Sequence, residues 1–289
     1  MVHLKRFSLS LAILISLSFC ACSDNMSNLK AGLTKKEKGM PEAKYYSTDF
    51  SEFPDVVLDA ISYGPISPDQ ALAFENINDL ANPGYLEVEN GYGILEDGSA
   101  YVAARTEMPG ADMEMIQWWF WWHTLKNIRY KIWCPGDHYA IGAKYLDRYA
   151  DPTLSPEEKI TDNPHYPVED VGLGILALSI SFVPPETFGF DTSAFENNGV
   201  EGAICGIVGI KLFGVTIDHT YMCHLFRKTD TGLELRSRFW LGAKLDPAWR
   251  KIIFNEDAAL GVMEHCSREY NHLASFLPDI YNEFVDSEE

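Results

Sequence analysis

Between residues 172 and 241 this chain is rich in β-branched and aromatic runs, and a single long helical pattern follows them; that order constrains the fold more than any other feature. The runs Gly172–Val183, Ala203–Ile217, Tyr221–Arg227 and Leu233–Leu241 are bounded by Gly, Pro and Asp, as strands are, and Arg129–Trp133 reads the same way. Thr229-Asp230-Thr231-Gly232 predicts a hairpin before the last run. Glu96-Asp97-Gly98-Ser99 predicts another between Gly93–Leu95 and Tyr101–Thr106. The closing helix is expected from about Glu256 to Leu277, where Pro278 stops it. Leu260, Met263, Cys266, Tyr270, Leu273 and Leu277 give it one apolar face. The fold class is therefore α+β, with a long C-terminal helix packed into a curved antiparallel sheet.

Upstream, Ser67-Pro68-Asp69 caps a helix expected over Gln70–Leu80, ended by Asn82-Pro83-Gly84. A small N-terminal helical part over 45–84 and a main domain over 85–289 follow from that break. Residues 1–21 read as a secretory signal: Lys5 and Arg6 precede an apolar run from Leu9 to Phe19 that is too short to span a bilayer. Phe19-Cys20-Ala21-Cys22 resembles a bacterial lipobox with Cys22 as the lipidated residue. The expectation is an exported lipoprotein in the periplasm or outer membrane, held to the membrane through its N-terminal lipid only, with 22–44 as a polar tether. Removing the signal makes the formal charge of −19 two units more negative, which argues against nucleic acid as a partner. Cys134, Cys205, Cys223 and Cys266 form no C-x-x-C pair, so a structural zinc knuckle is not expected.

Chemistry concentrates in a few places. Trp118-Trp119-Phe120-Trp121-Trp122-His123 cannot stay in water, since each ring carries about 150–250 Å² of surface. It reads either as aromatic core with an inert His or as the wall of a flat pocket with His123 at its edge. On the closing helix, His265 and Glu269 lie one turn apart on one face, so imidazole and carboxylate can converge on one ion. Glu264 and His272 reach the same region. Glu169 enters an apolar strand, where a solvated strand end competes with a metal ligand.

The blocks Trp118–His123, Arg129–His138, Gly232–Gly242 and His265–Pro278 stand in an order similar to that of the phloretin hydrolase and diacetylphloroglucinol hydrolase family. The resemblance implies a START-like helix-grip domain and one zinc ion per chain. The ligands it implies are His123, Glu169, His265 and Glu269. It further implies His224 and Glu269 as catalytic groups, with Trp118, Trp122 and Phe239 against the substrate. The implied reaction is hydrolysis of the bond between an acyl group and a polyhydroxylated ring in a small aromatic ketone such as an acylphloroglucinol. A homodimer is compatible with it. The rival reading is a non-catalytic exported lipoprotein that captures flat hydrophobic ligands; it needs the aromatics but not the joint presence of His123, His265 and Glu269.

Overall fold

The computed structural model describes residue 29 and residues 31–50, 52–212 and 215–287. The expected signal and Cys22 lie outside the described residues. Helices are α1 (Asp55–Tyr63), α2 (Met113–Trp122), α3 (Asn127–Trp133), α4 (Pro156–Ile160), α5 (Pro185–Phe188), α6 (Pro247–Ile253) and α7 (Glu256–Phe284). Strands are β1 (Gly91–Ile94), β2 (Ala100–Pro109), β3 (His138–Ala140), β4 (Val168–Asp170), β5 (Ile175–Val183), β6 (Val200–Leu212), β7 (Val215–Thr229) and β8 (Gly232–Leu241). They form one eight-stranded sheet in the order β1-β2-β8-β7-β6-β5-β4-β3, every pair antiparallel. Both expected hairpins are present, β1–β2 and β7–β8.

Alternation along the strands explains how the sheet serves two layers. On β8, Leu233, Leu235, Phe239 and Leu241 join the core shared with α7, whereas Trp240 joins a second core on the opposite face. The inner core continues through Val102 and Met108 of β2 and Met222 and Phe226 of β7 to Met263, Tyr270, Leu273 and Leu277 of α7. This is the expected α+β plan of an antiparallel sheet holding a C-terminal helix. The outer face carries Glu89 between Arg236 and Arg238, the latter at 2.7 Å. Arg227 donates to the backbone oxygens of Leu80, Asn82 and Gly84. These arginines pin residues 80–89 across the sheet, so the Arg-Ser-Arg block is a clamp on one face and core on the other.

A bulge on β7 matters for the cavity. Val208 pairs with Thr220 and Gly209 with Asp218, leaving His219 as the extra residue. Beyond it the facing of β7 shifts by one, so Ile217 stands opposite Ile210.

Several expectations are corrected. Arg129–Trp133 is helix α3, not strand. Residues Ile128 to Trp133 are all buried, so no polar side betrays the helical period. The outer side of α3 is covered by residues 37–45, all but the last from the expected tether, where Glu42 meets Arg129 at 3.0 Å and Glu37 meets Lys131 at 3.0 Å. Ala203–Ile217 is not one run but is shared by β6 and β7. The Gln70–Leu80 helix is a capped turn at Pro68–Gln70 followed by a kinked 3-10 segment at Phe74–Ala81. Finally, α7 runs through Pro278 to Phe284. A proline inside a helix costs about 3 kcal/mol, and burial of Leu277, Ile280 and Phe284 on both sides of it offsets that cost.

Candidate metal centre and cavity

Two short strands and one helix turn build the site. His138 opens β3 and stands directly across from Glu169 on β4. His265 and Glu269 project from α7 at i and i+4. The loop after β4 reaches α7 because two glycines touch: a Cβ on Gly172 would lie 2.6 Å from Cα of Gly261. Gly172 also takes φ +86°, a conformation that favours glycine.

The side chains converge. His138 Nε2 lies 3.3 Å from Glu169 Oε2 and 3.6 Å from Glu269 Oε2. His265 Nε2 lies 3.9 Å from each of the same two oxygens. His138 Nδ1 bonds the backbone oxygen of Tyr130 at 2.9 Å, and its ring stacks on the Tyr130 ring. That contact turns Nε2 inward, where it is buried without a hydrogen-bond partner. The Tyr130 hydroxyl donates to Glu169. Asp137 Oδ2 lies 3.5 Å from His265 Nδ1 and is held by Arg268 at 2.7 Å, so an acid backs the second imidazole as well.

Electrostatics show the tension in this arrangement. Burial pushes Glu169 up and Glu269 up to about 8, each opposed by His265. Burial and the neighbouring His265 push His138 well below the ordinary histidine range. His265 goes the other way, to about 9, because Asp137, Glu269 and Glu169 outweigh its burial. Buried carboxylates packed together call for a cation. Two imidazoles and two carboxylates, with His138 Nε2 buried and making no hydrogen bond, form a donor set that fits zinc. Cys134 approaches the same histidines: donor atoms of Cys134, His138 and His265 lie within 4.8 Å of one another. Its thiol is 3.5 Å from Asp137 and is pushed well up by burial and by that acid.

His123, expected as a ligand, is placed elsewhere. α2 continues into a 3-10 turn at His123, whose Nδ1 bonds the Trp119 oxygen at 2.6 Å. Its ring lies among Trp119, Tyr130, Trp133 and His165, and no ion pair joins it to either glutamate among the described residues. His138, not His123, stands beside the two glutamates. Trp118 and Trp122, expected against the substrate, stack on each other at 4.4 Å between ring centres and pack on Tyr281 and Phe284. They are core, and neither lines the cavity. Phe120 and Trp133 line it in their stead.

That cavity has a volume of about 750 Å³ and contains Glu169, His265 and Glu269 in its wall. His224 and Phe239 also line it, with their rings 5.7 Å apart. His224 Nδ1 is 2.8 Å from Ser237 Oγ, and burial holds its pKa down at about 3. The sequence reading missed His165, whose Nε2 bonds the Tyr149 hydroxyl at 2.8 Å, and His219. No motif marks either residue; only strand facing brings them to the cavity.

A family model described as the DAPG hydrolase PhiG domain matches residues 72–282. A curated relative named phloretin hydrolase, from Eubacterium ramulus, is 32% identical over 91% of this chain and 98% of its own length. Proteins named 2,4-diacetylphloroglucinol hydrolase, from Pseudomonas sp and Pseudomonas protegens, are each 31% identical over 86% of this chain and 89% and 85% of their own lengths. Among solved structures, Protein Ms6760 from Mycobacterium smegmatis covers 65% of this chain and 97% of its own at 12% identity and a TM-score of 0.36.

Proposed function

The chain belongs to the DAPG hydrolase family, and on that premise we propose that it is a zinc-dependent hydrolase of acylated polyhydroxylated rings, cutting the carbon–carbon bond between acyl group and ring. The names of its relatives, phloretin hydrolase and 2,4-diacetylphloroglucinol hydrolase, support that substrate class. The observation that carries the metal assignment is the convergence of His138, Glu169, His265 and Glu269 around a buried Nε2 that makes no hydrogen bond. We likewise assign the sheet and its helix to the START-like helix-grip class.

His138, Glu169, His265 and Glu269 would hold the ion. When bound, zinc supplies Lewis acidity for a carbonyl and for water. The protein's own groups do the rest. Tyr130 and Asp137 fix the orientation of the imidazoles and of Glu169. Phe120, Trp133 and Phe239 exclude water and seat a flat ring. An aryl ketone does not shed its ring as a carbanion, so the ring carbon that bears the acyl group must take a proton. His224 is the group placed to relay it, taking a proton from a ring hydroxyl and passing it on as imidazolium, a strong acid because burial holds its pKa down at about 3; its Nδ1 lies 2.8 Å from Ser237 Oγ. Glu269, one turn from His265 on α7, is the group of this site suited to accept a proton from water.

The test is metal content by mass spectrometry alongside release of carboxylic acid from acetylphloroglucinol and phloretin. We expect about one zinc per chain and acid release, both lost in His138→Ala and the zinc retained in Cys134→Ser and His123→Ala. Zinc lost from Cys134→Ser but kept in His138→Ala would replace this donor set with one centred on the thiol. A metal-free wild type that releases no acid after zinc is supplied would end the hydrolase reading.

A further inference from the structure

The cavity is larger than its chemistry requires, and its two halves differ. An apolar cavity of about 150 Å³ already admits benzene, so 750 Å³ leaves most of the space unfilled by a single ring with a short acyl group. Polar groups gather in one half. There His224 lies 4.9 Å from the Tyr270 ring on α7, and Phe120 contacts both His224 and His123, whose ring meets that of His165. Along α7 toward its N-terminus, His265 comes before Glu269, and Val262 before both, lining the other half.

That other half is apolar. Ile210, Ile217, Leu245, Trp249 and Ile253 wall it, and His219 and Thr220 are hydrogen-bonded to each other at 2.7 Å. Its rim leaves large apolar side chains in water: Leu173 is 38% exposed, Ile217 42% and Ile252 59%. From His224 to Ile217 the wall runs along β7 for roughly 20 Å at strand rise. The carbonyl of a ketone held at the four donors would thus have its ring toward His224 and its acyl chain toward this rim.

We infer that the substrate carries a long apolar acyl chain, which occupies the half of the cavity between Val262 and the Leu173–Ile217–Ile252 rim. This rests on the hydrolase reading for the position of the ring, and on the cavity alone for the chain. Each methylene moved from water into such a wall strengthens binding about fourfold. Short-chain ketones then bind weakly because half of the apolar wall stays wet.

The experiment uses the full chain loaded with zinc and a series of monoacylphloroglucinols from acetyl to dodecanoyl. Released carboxylic acid reports turnover, and quenching of tryptophan fluorescence reports binding. Affinity and kcat/KM are expected to rise about threefold to fourfold per methylene before levelling off. Ile252→Glu, at the exposed rim, is expected to shrink the dodecanoyl-to-acetyl ratio of kcat/KM at least tenfold. Acid release that is flat or falls with chain length overturns the inference and leaves the hydrolase reading standing. Affinity that rises with chain length without acid release from any member upholds the chain site and overturns the hydrolase reading. Flat affinity with no turnover overturns both.

Discussion

At the scale of single residues, His123 and His224 are buried imidazoles whose protonation the fold resists, with pKa values of about 4 and 3. In the unfolded chain each takes up a proton below about pH 6.5. Between that pH and the folded values the unfolded state binds more protons, so stability is full above about pH 6.5 and is lost as pH falls toward 4. Each histidine contributes up to about 1.4 kcal/mol per pH unit in that window. Urea unfolding at about pH 7, 6 and 5 should show a falling midpoint, with a shallower fall in His224→Gln. An unchanged slope in that variant would mean that His224 is already charged in the native protein. His265 and Glu269 were legible in the sequence as an i,i+4 pair, and their convergence with Glu169 needed the family resemblance. His138 was not singled out as a ligand, because its role depends on facing Glu169 across two three-residue strands. Such strands are too short to show alternation, and the tryptophan run drew attention to His123 instead.

Among elements, the junction between β4 and α7 sets how well the glutamate and the helix meet. Gly172→Ala would place a methyl group against the Gly261 backbone in a left-handed conformation. We expect a loss of about 2 kcal/mol or more in unfolding free energy, with reduced zinc content as Glu169 is pushed away. Gly174 is a matched control: it has φ +83° but open space around it. Gly174→Ala should show only the backbone term, about 1 kcal/mol, with zinc retained. Equal effects at both positions would show that close packing plays no part. The long strands were readable as β-branched and aromatic runs bounded by Gly, Pro and Asp, and the closing helix by its one apolar face. α3 was not, since the sheet side and residues 37–45 bury it all round. Nor was the persistence of α7 beyond Pro278, because local rules see the missing N–H but not Ile280 and Phe284 in the core.

For the whole molecule, the N-terminal segment is part of the structure that supports the site. Glu42 and Arg129 are each about 1% exposed and meet at 3.0 Å, tying residues 41–45 to the helix that carries Tyr130. Glu42→Ala removes one side of this buried pair and should lower stability by about 3 kcal/mol. Denaturant unfolding would measure it, and a change below about 0.5 kcal/mol would assign the segment to the surface. Composition could not disclose this, since lysines and glutamates at 30–42 have the look of solvated linker until their partners on α3 are known. The bulge at His219 has a different kind of consequence. The proposed metal ligands come from β3, β4 and α7, whereas the depth of the apolar half depends on which way Ile217 faces. A one-residue deletion there would turn Ile217 outward and shorten the hollow while leaving every donor atom in place. Capacity and reactivity are thus encoded in separate stretches of this chain, and a lineage can alter what fits without altering what reacts.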